Sequence, residues 1–370
     1  MSDAVTAAQT SQRKREHLEV AASEASQSGR TPGWEDVHLV HQALPTASLH
    51  EIDTSTTFLG HRLSAPLLIA SMTGGHEQAR DINRRLGRAA EQVGIAIGVG
   101  SQRAAIEDPS LEGTYAVVRE AAPDAVVIAN LGMCQLVPQD DTPAFTTEQV
   151  EQAVAMVEAD ALAIHLNLVE EMIQTEGDRD TAGIADALRE LVEACSVPVI
   201  AKETGSGTAR ETAELLVACG VAAIDVGGAG GTSFARVEAV RAEQRGDERG
   251  ARLGAAFADW GIPTVASLIE TAGLDVPVIA TGGVRDGLHA AKALALGADV
   301  VGMGRPALEA ALEGEQAVVT RLETIVEELT VAMLLTGASR PAELAVRGHV
   351  LTGVSLEWSR QRGGGSGGSA

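Results

Sequence analysis

The sequence predicts an α/β protein, a single (β/α)8 TIM barrel with an irregular N-terminal lead-in. Two observations carry that prediction. The first is the stretch from Thr281 to Pro306, TGGVRDGLHAAKALALGADVVGMGRP. A short β-branched run, VPVIA (276–280), stops at Gly282-Gly283, an Ala- and Leu-rich helical segment follows, and a second run, Asp299 to Met303, stops at Gly304. Glycines after a strand let the backbone approach a ligand and aim its amides at an anion. The next helix N-terminus adds partial positive charge, and in such barrels the loops after strands seven and eight grip phosphate. The second observation is that six more short apolar runs precede this unit, each ending in polar residues.

Taken in order, LLIA (67–70) closes on Ser71-Met72-Thr73-Gly74-Gly75, and IAIGVG (95–100) closes on Ser101-Gln102-Arg103. VVIA (126–129) closes on Asn130, and ALAI (161–164) on His165-Leu166-Asn167. PVIA (198–201) closes on Lys202-Glu203, and AAID (222–225) on a glycine run ending Gly230-Gly231-Thr232. Between them lie helical patterns such as Thr208–Cys219 and Gly287–Leu296, with apolar residues three and four apart. One polar strand end merely greets water; eight aimed at the same rim describe a site. Residues 20–60 read as an irregular lead-in across the barrel bottom, and Val237–Gly254, charged and Gly-containing, as a mobile loop after strand six. The expected organisation is a disordered N-terminus (1–12), a barrel (13–360) and a flexible Gly/Ser tail (361–370).

A chain of 370 residues with 45% hydrophobic content can bury one large core. No apolar run reaches bilayer length and the N-terminus has no apolar signal core, so no membrane role and a cytoplasmic location are expected. Three cysteines without a CxxC pair argue against a zinc site. Aromatic content of 2% and a net charge of -23 argue against nucleic acid as a partner. Among 28 basic residues only Lys14, Lys202 and Lys292 are lysines. An acidic, Arg-preferring surface fits a cytoplasm of high salt, where screening suppresses carboxylate repulsion; a G+C-rich genome would produce the Arg bias by itself. Lys202 sits at a strand end, where a ligand belongs, whereas Lys292 falls on an outer helix and reads as solvated. The cluster Arg13-Lys14-Arg15-Glu16-His17 reads equally as a solvated helix start or an anion-binding flap.

A phosphate held by the last two loops, with Lys202 and Asn130 on the inner rim, suits flavin mononucleotide (FMN) lying across the mouth, since a cation there stabilises a reduced, anionic flavin. Strand four ends in HLNLVEE, followed by EGDRD (176–180). Alone this is an acidic loop in an acidic protein. Facing Ser101-Gln102-Arg103 and Arg13-Lys14, it fits a hard divalent cation such as Mg2+ bridging a diphosphate.

The motifs RKxEH (13–17), MTGG (72–75), GSQRAAIEDP (100–109), ANLG (129–132), HLN…E…EGD (165–178), GAGGTSF (228–234), DWGIPT (259–264) and TGGVRDG (281–287) together resemble those of the type 2, FMN-dependent isopentenyl-diphosphate delta-isomerases. The resemblance covers Arg13 to Leu308. It implies FMN contacts from Ser71, Met72, Thr73, Gly74, Ser101, Asn130, Lys202 and Thr232, with the FMN phosphate against Gly282, Gly283, Val284, Arg285, Met303 and Gly304. It implies a prenyl diphosphate held by Arg13, Lys14, Ser101, Gln102, Arg103, Asn167 and Glu170, and Glu171 as the Mg2+ ligand. Glu170, Lys202 and His165 are the implied catalytic residues, NADPH the implied reductant, and a homo-oligomer (tetramer or octamer) the implied assembly. Isomerisation is then a 1,3-proton shift without net redox change, a step of isoprenoid biosynthesis. This chain carries Glu170 where the family usually has Gln. The alternatives are an FMN-dependent 2-hydroxy-acid oxidoreductase, which shares the GGVR…GRP grip, and an inactive paralogue that binds FMN or a prenyl diphosphate.

Overall fold

The computed structural model describes residues 20–21, 23–140 and 142–363. Eight parallel strands close into a barrel: β1 (Leu67–Ile69), β2 (Ala96–Gly98), β3 (Val127–Gly132), β4 (Ala161–Leu166), β5 (Val199–Glu203), β6 (Ala223–Asp225), β7 (Val278–Ala280) and β8 (Val300–Met303). Each pairs with the next in sequence, and β8 returns to β1 through Val301–Leu67 and Met303–Ile69. All eight coincide with the apolar runs read from the sequence. Their β-branched and small residues are buried on both faces, as a helix-jacketed parallel strand requires. The expected helices appear at Arg210–Ala218 and Gly287–Ala295.

Two parts of the lead-in behave differently. A hairpin, Thr56–Phe58 with His61–Leu63, sends Phe58 and Leu63 into a cluster with Leu68, Ala96, Val126 and Ala161, plugging the N-terminal end of the barrel. Residues 26–32 instead cross the opposite end: Ser28 N donates to Gly231 O (2.9 Å), Ser233 N donates to Ser26 O (2.8 Å), and Pro32 packs on Gly230. The expectation that the whole lead-in lies at the bottom is therefore corrected. Val37–Leu39 then pairs antiparallel with His349–Leu351, tying lead-in to C-terminus.

The expected mobile loop at 237–254 is two helices, Phe234–Arg245 and Glu248–Ala256. Several of its charges have partners within the protein, some of them remote in sequence. Arg241 is buried, bonded to Glu238 (2.6 Å) and Glu176 (3.3 Å). The Gly246-Asp247 pair is a left-handed stop followed by an N-cap accepting from Gly250 N (3.0 Å). Lys292 is likewise not simply solvated, because its Nζ donates to Trp34 O (2.7 Å).

The last helix, Gly353–Arg362, runs past the expected tail boundary. Fully buried Glu270 accepts from Trp358 Nε1 (2.7 Å) and Arg362 Nε (2.9 Å), and Arg362 also forks onto Glu211. Among the described residues no helix is long and apolar enough to cross a membrane.

Candidate active site at the barrel mouth

The C-terminal ends of the strands surround a cavity of about 540 Å3. Its phosphate end is built by the loops after β7 and β8. Gly282 has φ +113° and a Cβ there would stand 2.2 Å from Gly228 O, so only glycine fits. Thr264 Oγ1 donates to Gly282 O (2.8 Å), holding the loop from the N-terminus of helix Thr264–Thr271. Gly304 is different: a methyl there would meet only Met72, at ordinary contact distance (3.6 Å). Packing does not demand this glycine, and its lack of a side chain keeps the loop open to the cavity.

Arg285, Arg305 and Arg321 line the same end. Arg321 Nη2 donates to Arg285 O (2.9 Å), Arg285 Nη2 to Gln27 Oε1 (3.0 Å), and Arg305 joins Glu309 (2.6 Å) to Glu24 (2.9 Å) on the lead-in. Sequence reasoning singled out Arg285 alone. Arg305 stood in the quoted GRP without a role, and Arg321 lies on helix Glu315–Thr336, beyond the last motif.

In the centre, Lys202 Nζ lies 3.0 Å from Asp225 Oδ2, whose other oxygen accepts from Thr281 Oγ1. Asp225 is 1% exposed, so the cation at the end of β5 carries its own buried counter-charge. Beside it, Glu203 Oε2 accepts from the backbone N–H of Gly205 (2.6 Å), Ser206 (2.6 Å) and Gly207 (3.0 Å). Burial pushes this carboxyl up to about 8, although the three donors pull the other way. His165 Nδ1 lies 2.8 Å from Asn130 Oδ1, which accepts its proton and fixes the tautomer.

Gln102 departs from its expected place. It is fully buried and absent from the cavity wall; its Nε2 donates to Ala153 O (2.7 Å) and its Oε1 accepts from Asn130 N (2.9 Å). It positions Asn130 rather than reaching a substrate.

The far end is acidic. Asn167 Nδ2 donates to Glu171 Oε1 (2.8 Å) and to Glu170 Oε2 (3.2 Å), and Gln174 Nε2 donates to Glu170 Oε1 (2.9 Å). Glu171 Oε2 accepts from Asp178 N (2.8 Å). Arg103 lies opposite, paired with Glu107 (2.7 Å) and Asp178. Burial opposes its charge, but those two carboxylates together hold its guanidinium above the ordinary value. Gln135, which also donates to Asp178 (3.0 Å), was not foreseen.

Ser71, Met72, Thr73, Gly74, Ser101, Arg103, Asn130, His165, Asn167, Glu170, Glu171, Lys202, Thr232, Gly282, Gly283, Val284, Arg285, Met303 and Gly304 all line this one cavity. Arg13 and Lys14 lie outside the described residues.

Residues 8–350 match the model of the FMN-dependent dehydrogenase family. The chain is 48% identical to the isopentenyl-diphosphate delta-isomerase of Methanosarcina mazei over 96% of its own length and 95% of the relative's. The enzymes of that name from Halobacterium salinarum and Archaeoglobus fulgidus are also 48% identical, over 96% of this chain and 97% and 99% of theirs. The chain belongs to the FMN-dependent isopentenyl-diphosphate delta-isomerase family. Among solved structures it superposes on an arginine-to-lysine variant of flavocytochrome b2 with a TM-score of 0.66 at 18% identity, covering 96% of this chain and 89% of that one. It superposes on mandelate oxidase with a TM-score of 0.60 at 19% identity, covering 90% and 94%. At that identity the likeness is one of fold.

Proposed function

We propose that the protein interconverts isopentenyl diphosphate and dimethylallyl diphosphate by a 1,3-proton shift, using reduced FMN, Mg2+ and NADPH. The observation that carries this reading is the one cavity lined by the phosphate loops, by Lys202 with its counter-charge Asp225 behind it, and by Glu170 and Glu171. The residues present fit FMN. Gly282, Gly283, Val284, Arg285 and Gly304 would hold its phosphate, and Gly304 leaves the space a phosphate needs. Ser71 to Gly74, Asn130, Lys202 and Thr232 would hold its ring. When bound, reduced FMN supplies an electron-rich ring that stabilises positive charge developing on the alkene.

The chain's own groups divide the remaining work. Lys202, held by Asp225, presents a fixed cation where negative charge collects. His165, oriented by Asn130, and Glu170, oriented by Asn167 and Gln174, can each hold or release a proton at the mouth. Ser101 and Arg103, with Arg13 and Lys14, would take the diphosphate. The metal also fits: the Glu171 carboxylate lines the cavity, and the amide that meets it, Asn167, keeps a buried oxygen without a partner, hard oxygens of the kind that would hold Mg2+ together with phosphate and water. A 2-hydroxy-acid substrate fits less well, because its carboxylate would meet Glu170 and Glu171. The homo-oligomer and cytoplasmic location expected from the resemblance belong to this reading.

The test is to incubate the protein with isopentenyl diphosphate, FMN, NADPH and Mg2+ and assay for dimethylallyl diphosphate. A colourless protein that neither takes up FMN nor forms that product would overturn it, and oxygen consumption driven by a 2-hydroxy acid would favour the oxidoreductase.

A further inference from the structure

Packing beside the phosphate loop puts Arg321 where it is. Helix Glu315–Thr336 buries Val318, Leu322, Ile325 and Leu329 in the core. It approaches the segment after the loop so closely that a Cβ on Gly287 would stand 2.3 Å from Ile325 O. Gly287 N also donates to Glu328 Oε2 (2.7 Å), fixing the two elements together. Arg321 lies one turn before Ile325 on the same helix face, and this contact carries it to the cavity wall. There its Nη2 donates to Arg285 O (2.9 Å), which fastens the loop. The remaining guanidinium N–H groups donate to nothing among the described residues.

The three arginines at this end differ in what balances their charge. Arg305 is held between Glu309 (2.6 Å) and Glu24 (2.9 Å). The Arg285 side chain meets only the neutral amide of Gln27 (3.0 Å), and among the described residues neither Arg285 nor Arg321 has a carboxylate partner. The chain carries 51 acidic residues against 28 basic ones, so two neighbouring cations on a cavity wall without a carboxylate call for an anion from outside the chain. A terminal phosphate carries about two negative charges near neutral pH, and guanidinium groups match its oxygens well.

We propose that Arg321 is a further cofactor-binding residue, which with Arg285 supplies the positive charge that balances the FMN phosphate. The proposal rests on the isomerase reading, which calls for FMN, and adds a residue from an outer helix to the loops assigned above. The glycine loops then give the phosphate room and backbone donors, and the two guanidinium groups give it counter-charge.

The experiment titrates the full chain, freed of flavin, with FMN and separately with riboflavin, which lacks only the phosphate. Quenching of flavin fluorescence reads both affinities. Arg321→Gln removes the charge and should weaken FMN roughly tenfold while leaving riboflavin unchanged. Arg321→Lys keeps the charge and should recover part of the loss. The preference of the wild type for FMN over riboflavin should also fall with added KCl more steeply than that of Arg321→Gln. Equal weakening of both flavins would make Arg321 a purely structural residue and overturn the proposal, as would a wild-type preference for FMN in Arg321→Gln. Either result leaves the isomerase reading standing, whereas a wild type that takes up neither flavin would sink that reading as well.

Discussion

Lys202 and Asp225 are register partners on adjacent barrel strands, and their side chains meet at 3.0 Å beneath the cavity floor. Neither charge is well solvated, with Lys202 at 12% and Asp225 at 1% exposure. Removing one partner strands the other, and for buried pairs that costs about 3–5 kcal/mol. Asp225→Asn should therefore lower unfolding free energy by about that much in urea titrations. The apolar pair Lys202→Met with Asp225→Leu should recover much of the loss while abolishing turnover.

Gln102 separates a positioning role from a substrate contact. Gln102→Leu leaves Ala153 O and Asn130 N without their partner, an expected loss of about 1–3 kcal/mol of stability. The KM for isopentenyl diphosphate should stay near the wild-type value. A raised KM in a variant of unchanged stability would restore Gln102 to the substrate.

The two glycine loops should respond in opposite ways. Gly282→Ala forces a side chain into left-handed backbone and against Gly228 O, so the protein should lose both stability and flavin. Gly304→Ala should cost less than about 1 kcal/mol in the flavin-free protein, because its methyl finds only ordinary contact. FMN affinity measured by fluorescence quenching should nevertheless fall, since the methyl enters the space assigned to phosphate.

Glu203 sets a pH dependence. Its carboxyl sits at about 8 in the fold against an ordinary value of 4.5, so the folded state holds a proton that the unfolded chain releases. The stability associated with that proton is fully present below pH 4.5 and is lost as pH rises toward about 8. Glu203→Gln keeps an acceptor for the three backbone donors and cannot titrate. Its unfolding free energy should fall less steeply over that window than the wild type's, and parallel curves would refute the assignment.

The acidic, lysine-poor composition carries its own expectation. With a net charge of -23, the melting temperature should rise steeply from low to multimolar KCl as screening relieves carboxylate repulsion. A flat profile would remove the salt-adapted reading.

The order of short apolar runs and the residues ending them were enough to read the barrel, its open face and about half of the residues that line the cavity. The physical reason is local: a βα period places each strand end at the same rim, whichever helices wrap the outside. Loop 237–254 was misread because its partners, Glu176 and the helix 168–173 segment, are distant in sequence. A charge bonded to a remote charge has the same composition as one bonded to water. Lys202 was legible as a strand-end cation, but its counter-ion depended on strand register. Gln102, adjacent to Ser101 and Arg103, turns inward at the start of the short helix Arg103–Glu107, where its amide meets Ala153 O and Asn130 N, groups remote in sequence. Sequence by itself thus determined which chemistry gathers at the mouth. Tertiary structure decided which of those groups face the cavity and which hold them in place, because both depend on pairings made across the barrel rather than along the chain.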